Sequence, residues 1–400
     1  MKPPLVLSLF LALFLSGFFG LIAPLSVSAA EKTAAAPASV PSVLITNDDL
    51  PGQLPSSGTF YTIGTTGALS DPARVSLGGS GSGGGYFGSN RVSFLSSPTA
   101  PCAYLSLGGS NAVSAVDINT QQDIGNFTAG SSDSGHDNGI GLVNNGTYLY
   151  ANFTSSETLA TFAIGSGCTL QFLGDITPIG LHNGNLKAMA VHGNLMIASF
   201  GDGSIESFNI SAGIPVSNND LQNATGYTTS RFPQGIDITQ DGHYAIFGDQ
   251  STTDTIEVSD ISSGKLTKTV LYNFATAGNS TNVLLSPDET LIYIANTASG
   301  QVTAAFFNAT TGKVSPGCIS KQLKGFDNQW VFLSSPVTQL PSGTGSVLYL
   351  AEFGGSSGIA VVNVASTGST CTLTEASGSP VVDPDSTFLL SIGVYPPRPF

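Results

Sequence analysis

The chain predicts an all-β fold, a seven-bladed β-propeller of four-stranded antiparallel blades with its ring closed by the C-terminal strand in blade 1. Three observations predict it. One strand-turn-strand unit recurs seven times, a short apolar strand precedes six of the copies, and a similar strand stands alone near the C-terminus.

The repeat is clearest as LIYIANTASGQVTAAFF at Leu291, and it recurs as TYLYANFTSSETLATFAI at Thr147 and NLMIASFGDGSIESFNI at Asn194. HYAIFGDQSTTDTIEVSDI at His243, VLYLAEFGGSSGIAVVNV at Val347 and CAYLSLGGSNAVSAVDI at Cys102 continue it. A version with a longer turn, VLITNDDLPGQLPSSGTFYTIG, opens the series at Val43. Alternation of apolar and polar residues marks each as a pair of strands.

Shorter strands lead into the copies. NRVSFLSSP at Asn90 and NQWVFLSSP at Asn328 match at most positions, and NGIGLVNNG, LKAMAVHGN, QGIDITQDG and TNVLLSPDE occupy the same place elsewhere. Being apolar on both faces, they belong nearest the axis. A weaker fourth strand follows each copy, as in SGKLTKTVLYNF from Ser263, which completes a unit of blade size. The first copy has no leading strand, so STFLLSIGVYP, Ser386 to Pro396, is expected to supply it and so remove two exposed sheet edges.

Before the ring, residues 1–30 read as a secretory signal peptide: Lys2, an apolar run from Leu5 to Leu25, then small residues in SVSAA before Glu31. Residues 31–42 form a low-complexity linker, and the propeller domain spans 43–400. No later segment is apolar for long enough to span a membrane, so the mature chain is expected at the cell envelope, periplasmic or secreted, and monomeric.

Charged residues make up 10% of the chain, against about 25% in ordinary domains, and Gly contributes 48 residues. Cleavage at residue 30 removes one of the 12 basic residues and none of the 26 acidic ones, leaving an excess of 15 negative charges. Such a surface argues against nucleic acid or anionic lipid as partners. The expected partner is a small molecule or a cell-envelope protein.

Cofactor and metal signatures are missing. The run SLGGSGSGGGYFGSN has no Lys and no following helix, so it is no phosphate loop. The acidic stretches ITNDDLPG and SDSGHDN lack the carboxylate spacing of a calcium hand and read as turn formers. His192 and His243 sit in turns where solvent exposure accounts for them, and no spacing resembles a zinc site. Neither cofactor nor metal is expected.

Four cysteines allow three pairings. Cys168, Cys318 and Cys371 each follow the turn into a fourth strand and Cys102 starts a second strand, which places them on one face of a propeller. Stapling of neighbouring blades then favours Cys102 with Cys168 and Cys318 with Cys371, in keeping with an oxidising compartment.

FPQGIDITQDGHYAIFGD and VLLSPDETLIYIANTASGQVTAAFF resemble the YVTN-type repeats of lactonase-like seven-bladed propellers, a family that includes 6-phosphogluconolactonase-type enzymes and bacterial surface-layer proteins. The resemblance covers Val43 to Pro396 and implies, for hydrolytic members, a His just after the Pro leading into an inner strand, with Arg and Glu nearby. Here Phe232 and Pro233 are followed by Gln234, and the lead-ins at Asn279 to Asn282 and Asn328 to Trp330 also lack His.

The expectation is therefore a non-catalytic propeller that binds a ligand or partner at its channel mouth or blade loops. The alternative is a lactonase-like hydrolase with a rearranged site built from His136, Asp137 and Arg231. Aligning the inner strands brings Arg91, Asp137, Gln234, Asn282 and Gln329 to one mouth, with His136 and Arg231 just before it. No catalytic residue is assigned.

Overall fold

Two-residue alternation along the repeat lets each strand give one face to each neighbouring blade, and the result is seven separate antiparallel sheets arranged in a ring. The computed structural model describes residues 42–397 apart from 51–54, 83–89, 98–99, 130–139, 154–157, 178–185, 223–232, 250–254, 274–277, 279, 298, 327–329, 334–337, 340–345, 354–357, 384–388 and 390. The propeller falls within one unit, Val40–Phe400. No helix among the described residues is long and apolar enough to cross a membrane.

The inner strands of blades 2 to 7 are Val92–Leu95, Ile140–Asn144, Leu186–His192, Pro233–Ile238, Ser280–Leu285 and Trp330–Leu333. Blade 1 takes its inner strand from the C-terminus: Ser391–Tyr395 pairs antiparallel with Val43–Asn47, and Ser57–Ile63 and Leu69–Ser76 complete the sheet. Blade 7 carries two additional short strands, Thr338–Gln339 and Val381–Val382. In blade 4 the fourth strand shrinks to Val216–Ser217.

The core is divided as the blades are. Among the described residues seven apolar clusters form, each lying between one pair of neighbouring blades. Leu44, Tyr61 and Ile392 of blade 1 pack on Tyr349 and Ile359 of blade 7, so the closing seam is as apolar as any other. Disulfides Cys102–Cys168 and Cys318–Cys371 join blades 2 to 3 and 6 to 7 inside two of these clusters.

Local chemistry repeats with the blades. In the turn after the inner strand of blade 5, Thr239 Oγ1 donates to Asp241 Oδ1 (2.7 Å) and accepts from Tyr244 N (2.9 Å). Blade 6 repeats this with Ser286 Oγ donating to Asp288 Oδ1 (2.6 Å) and accepting from Leu291 N (3.0 Å). A hydroxyl residue two positions before an Asp holds the chain in the turn.

Candidate functional site

Inner strands start, and second strands end, on the same face of the ring, because the two run antiparallel. The last pairs of the second strands carry a polar residue in every blade: Asn47, Ser106, Asn152, Ser199, Asp249, Asn296 and Glu352, all buried. The repeat alignment contains this layer, but single-copy reading for chemistry overlooks it. Its side chains stitch the ring: Asn47 Nδ2 donates to Ser106 O (3.0 Å) in blade 2, and Asn152 Nδ2 to Leu186 O (3.2 Å) in blade 4.

Arg91, expected at the mouth, enters blade 2 on this face and is 1% exposed. Its guanidinium forms an ion pair with Asp49, and its backbone N–H donates to Ser391 Oγ (3.1 Å). Asp49 in turn accepts from Ser82 N (2.9 Å) and Ser82 Oγ (3.0 Å). Gly81 is required beside it, since a Cβ there would lie 2.2 Å from the Asp49 backbone.

The turn-forming stretch NDD is also buried, with Asp49 N donating to Asn47 Oδ1 (3.0 Å). Asp48 and Asp49 are both fully buried, Asp49 against Ser82 and against Arg91 at the entry to blade 2. Burial first, and then the charge of Asp383, pushes the Asp48 carboxyl up to about 6, while bonds from Ser57 and Thr46 pull the other way.

Gln234 and Asn282, the other described residues of the expected mouth, lie at the starts of adjacent inner strands and are 6% and 4% exposed. His136, Asp137, Arg231 and Gln329 lie outside the described residues. What sequence reading missed is a set of β-bulges. Pairing of the first two strands slips between Leu186 and Ala188 in blade 4, between Pro233 and Gly235 in blade 5, and between Ser280 and Asn282 in blade 6. Among the described residues of blades 1, 2, 3 and 7 that pairing runs without a slip.

Each bulge leaves one residue outside the ladder: Lys187, Gln234 and Thr281. A bulge re-aims a side chain that regular alternation would direct elsewhere. Gly235 makes the blade 5 and 6 bulges compatible, since a Cβ on it would lie 2.7 Å from Asn282 Cα and 2.8 Å from Thr281 O. Two inner strands thus approach with no side chain between them.

At the blade 6 bulge several polar atoms have no partner in the fold. Ser280 Oγ, Thr281 Oγ1, Asn282 Oδ1 and Asn296 Oδ1 are buried and make no hydrogen bond. Such groups each cost about 1–3 kcal/mol when left unsatisfied, and four of them meet at the entry to blade 6. In blades 4 and 5, desolvation lowers the Lys187 ammonium to about 8 and raises the Glu257 carboxyl to about 8. Among the described residues no cluster of His, Cys, Asp and Glu could hold a metal ion.

Scans against protein-family models and against curated proteins matched none. Solved structures do match. A protein from Bacteroides uniformis named as a candidate 6-phosphogluconolactonase superposes with a TM-score of 0.66 at 13% identity, over 88% of this chain and 99% of its own. A second such candidate, from Bacteroides fragilis, gives 0.63 at 17% identity over 90% and 99%. The periplasmic gluconolactonase of Pseudomonas aeruginosa gives 0.61 at 13% identity over 85% and 98%. What this chain shares with these lactonase-like proteins is the fold, a seven-bladed β-propeller.

Proposed function

We propose that this chain is an exported propeller that binds a small, uncharged, hydroxyl-rich molecule where the inner strands of blades 4 to 6 begin. The observation that carries the reading is the row of buried, unbonded polar atoms at Ser280, Thr281 and Asn282 beside the bulged Gln234 and Lys187. Hydroxyl groups both donate and accept, which is what a row of hydroxyl and amide oxygens can use. An anion would meet buried Asp249 and Glu352 in the same layer and an acidic body beyond it. Arg91 acts in this reading as a brace for the mouth through Asp49, and His136, Asp137, Arg231 and Gln329 are kept as further mouth residues.

Hydrolysis of a sugar lactone is the second reading. It draws on the names of the structural neighbours and on Lys187, an amine brought near neutrality by burial and so suited to take a proton from water. One experiment separates the two. Thermal-shift titration with neutral sugars and glucono-1,5-lactone is run beside a pH-stat assay of lactone consumption, on the native chain, Asn282→Ala and Lys187→Met. Stabilisation that Asn282→Ala abolishes, without turnover, supports binding alone. Turnover that Lys187→Met abolishes supports hydrolysis. Neither stabilisation nor turnover with any sugar or lactone overturns the mouth as a ligand site.

A further inference from the structure

A cavity lies among the inner strands, with most of its lining toward the face where they finish. It has a volume of about 890 Å³ and is walled by inner strands of blades 1 to 6. Its lining includes Ser96, Asn145, Gly146, His192, Gly193 and Pro396, all of which follow or end inner strands, so this space opens where those strands finish. The unbonded polar row at Ser280 to Asn282 is at the other end.

The chemistry of this wall is the reverse of the mouth's. Every polar side chain bordering it that carries an amide, imidazole or carboxylate, Asn90 excepted, is engaged within the protein. Asn144 Nδ2 donates to Ser93 Oγ (2.7 Å) and Phe94 O (2.8 Å), and its Oδ1 accepts from Gly146 N (3.0 Å). Asn145 Oδ1 accepts from Thr147 N (3.1 Å) and Tyr148 N (2.9 Å), while its Nδ2 donates to Gly193 O (3.3 Å). Asp237 accepts from Ile238 N and from Leu285 N, both at 2.8 Å.

His192 also departs from its sequence reading. Instead of sitting in solvent it is half-buried, with Nε2 bonded to Gln240 O (3.1 Å) and its ring against Gly242, whose φ of +69° and lack of a Cβ admit it. With these groups committed, the cavity offers a guest mainly the carbon surfaces of Val92, Phe94, Val143, Met189, Ala190 and Leu284. Binding there is rewarded by apolar burial, and a size of about 300–1,000 Å³ is usual for small-molecule pockets.

We infer that the exit half of the channel is a separate binding site for a small, uncharged, apolar molecule. Charge selects against anions, because the Asp237 carboxylate stands in the wall of a chain with 26 acidic and 12 basic residues. The inference does not rest on the reading of the mouth, since the two sites differ in position and in the chemistry of their walls.

Titration with the neutral fluorophore N-phenyl-1-naphthylamine tests it, with its anionic relative 1-anilinonaphthalene-8-sulfonate as the comparison. The native chain is expected to show saturable fluorescence enhancement with the neutral probe and binding at least about tenfold weaker with the anion. Ala190→Phe, which fills the cavity, is expected to weaken the neutral probe by about tenfold or more, and Thr281→Val at the mouth to leave it unchanged. Val143→Phe serves as a second filling variant, and a native-like melting transition qualifies either one. No saturable enhancement in the native chain, binding unaffected by a folded filling variant, or binding lost on Thr281→Val would each overturn the site.

Discussion

The hydroxyl of Tyr349 donates a 2.7 Å hydrogen bond to the carbonyl oxygen of Gly67, across a sequence separation of 282 residues. Gly67 has a φ of +81°, and a Cβ placed on it would lie 2.6 Å from Val347 Cγ2. A turn of blade 1 therefore rests directly on the second strand of blade 7. Together with the C-terminal strand, this contact closes the ring.

Tyr349→Phe keeps the packing and removes only the hydrogen bond. It is expected to lower stability by about 1 kcal/mol in urea unfolding. Gly67→Ala should cost more, since it adds a clash to a left-handed backbone. Equal midpoints for the native chain and both variants would show that the seam does not limit unfolding.

Arg91 and Asp49 are expected to be far more sensitive. Arg91→Met leaves Asp49 buried with its counter-charge gone, and breaking such a pair from one side costs roughly 3–5 kcal/mol. The double variant Arg91→Met with Asp49→Leu should recover much of that loss. Equal stability of the single variant and the native chain would show that the pair is not held in the folded protein.

Thr281→Val removes a buried hydroxyl that bonds to nothing in the fold. Stability is expected to rise, by about 1 kcal/mol, while affinity for any sugar or lactone that binds the native mouth falls. This opposite movement of two measurements is the signature of a group kept for a ligand. A fall in stability would mean that the hydroxyl is satisfied within the protein.

Stability should also decline toward alkaline pH. Burial raises the Glu257 carboxyl from 4.5 to about 8, so the folded state holds this proton more tightly than the unfolded chain does. Its contribution is fully present below 4.5 and is lost as pH rises through about 8, at up to about 1.4 kcal/mol per pH unit. Asp48, raised from 3.8 to about 6, adds the same sign over a lower window. Glu257→Gln is expected to match the native chain near pH 5 and to exceed it near pH 8 in chemical denaturation. A constant difference between the two proteins across that range would refute the assignment.

The blade number, the strands of each blade and the closure by the C-terminal segment were legible from residue order alone. Alternation of two and an apolar inner strand are local patterns, and each was written into the chain several times, so the copies corroborate one another. Pairing of the cysteines followed once the blades were placed, because Cys102 and Cys168, like Cys318 and Cys371, have Cα atoms 5.6 Å apart across neighbouring blades. Tertiary structure decided the rest. Burial of Asp49 against Arg91 brings the segment after Val43–Asn47 against the entry to blade 2, a contact that no pattern within either segment encodes. The bulges at Gln234 and Thr281 lie where strands of adjacent blades press together around Gly235, and there, as at Lys187, a shift of one residue reverses which face a side chain occupies. The cavity, likewise, exists only as the space left between inner strands of different blades.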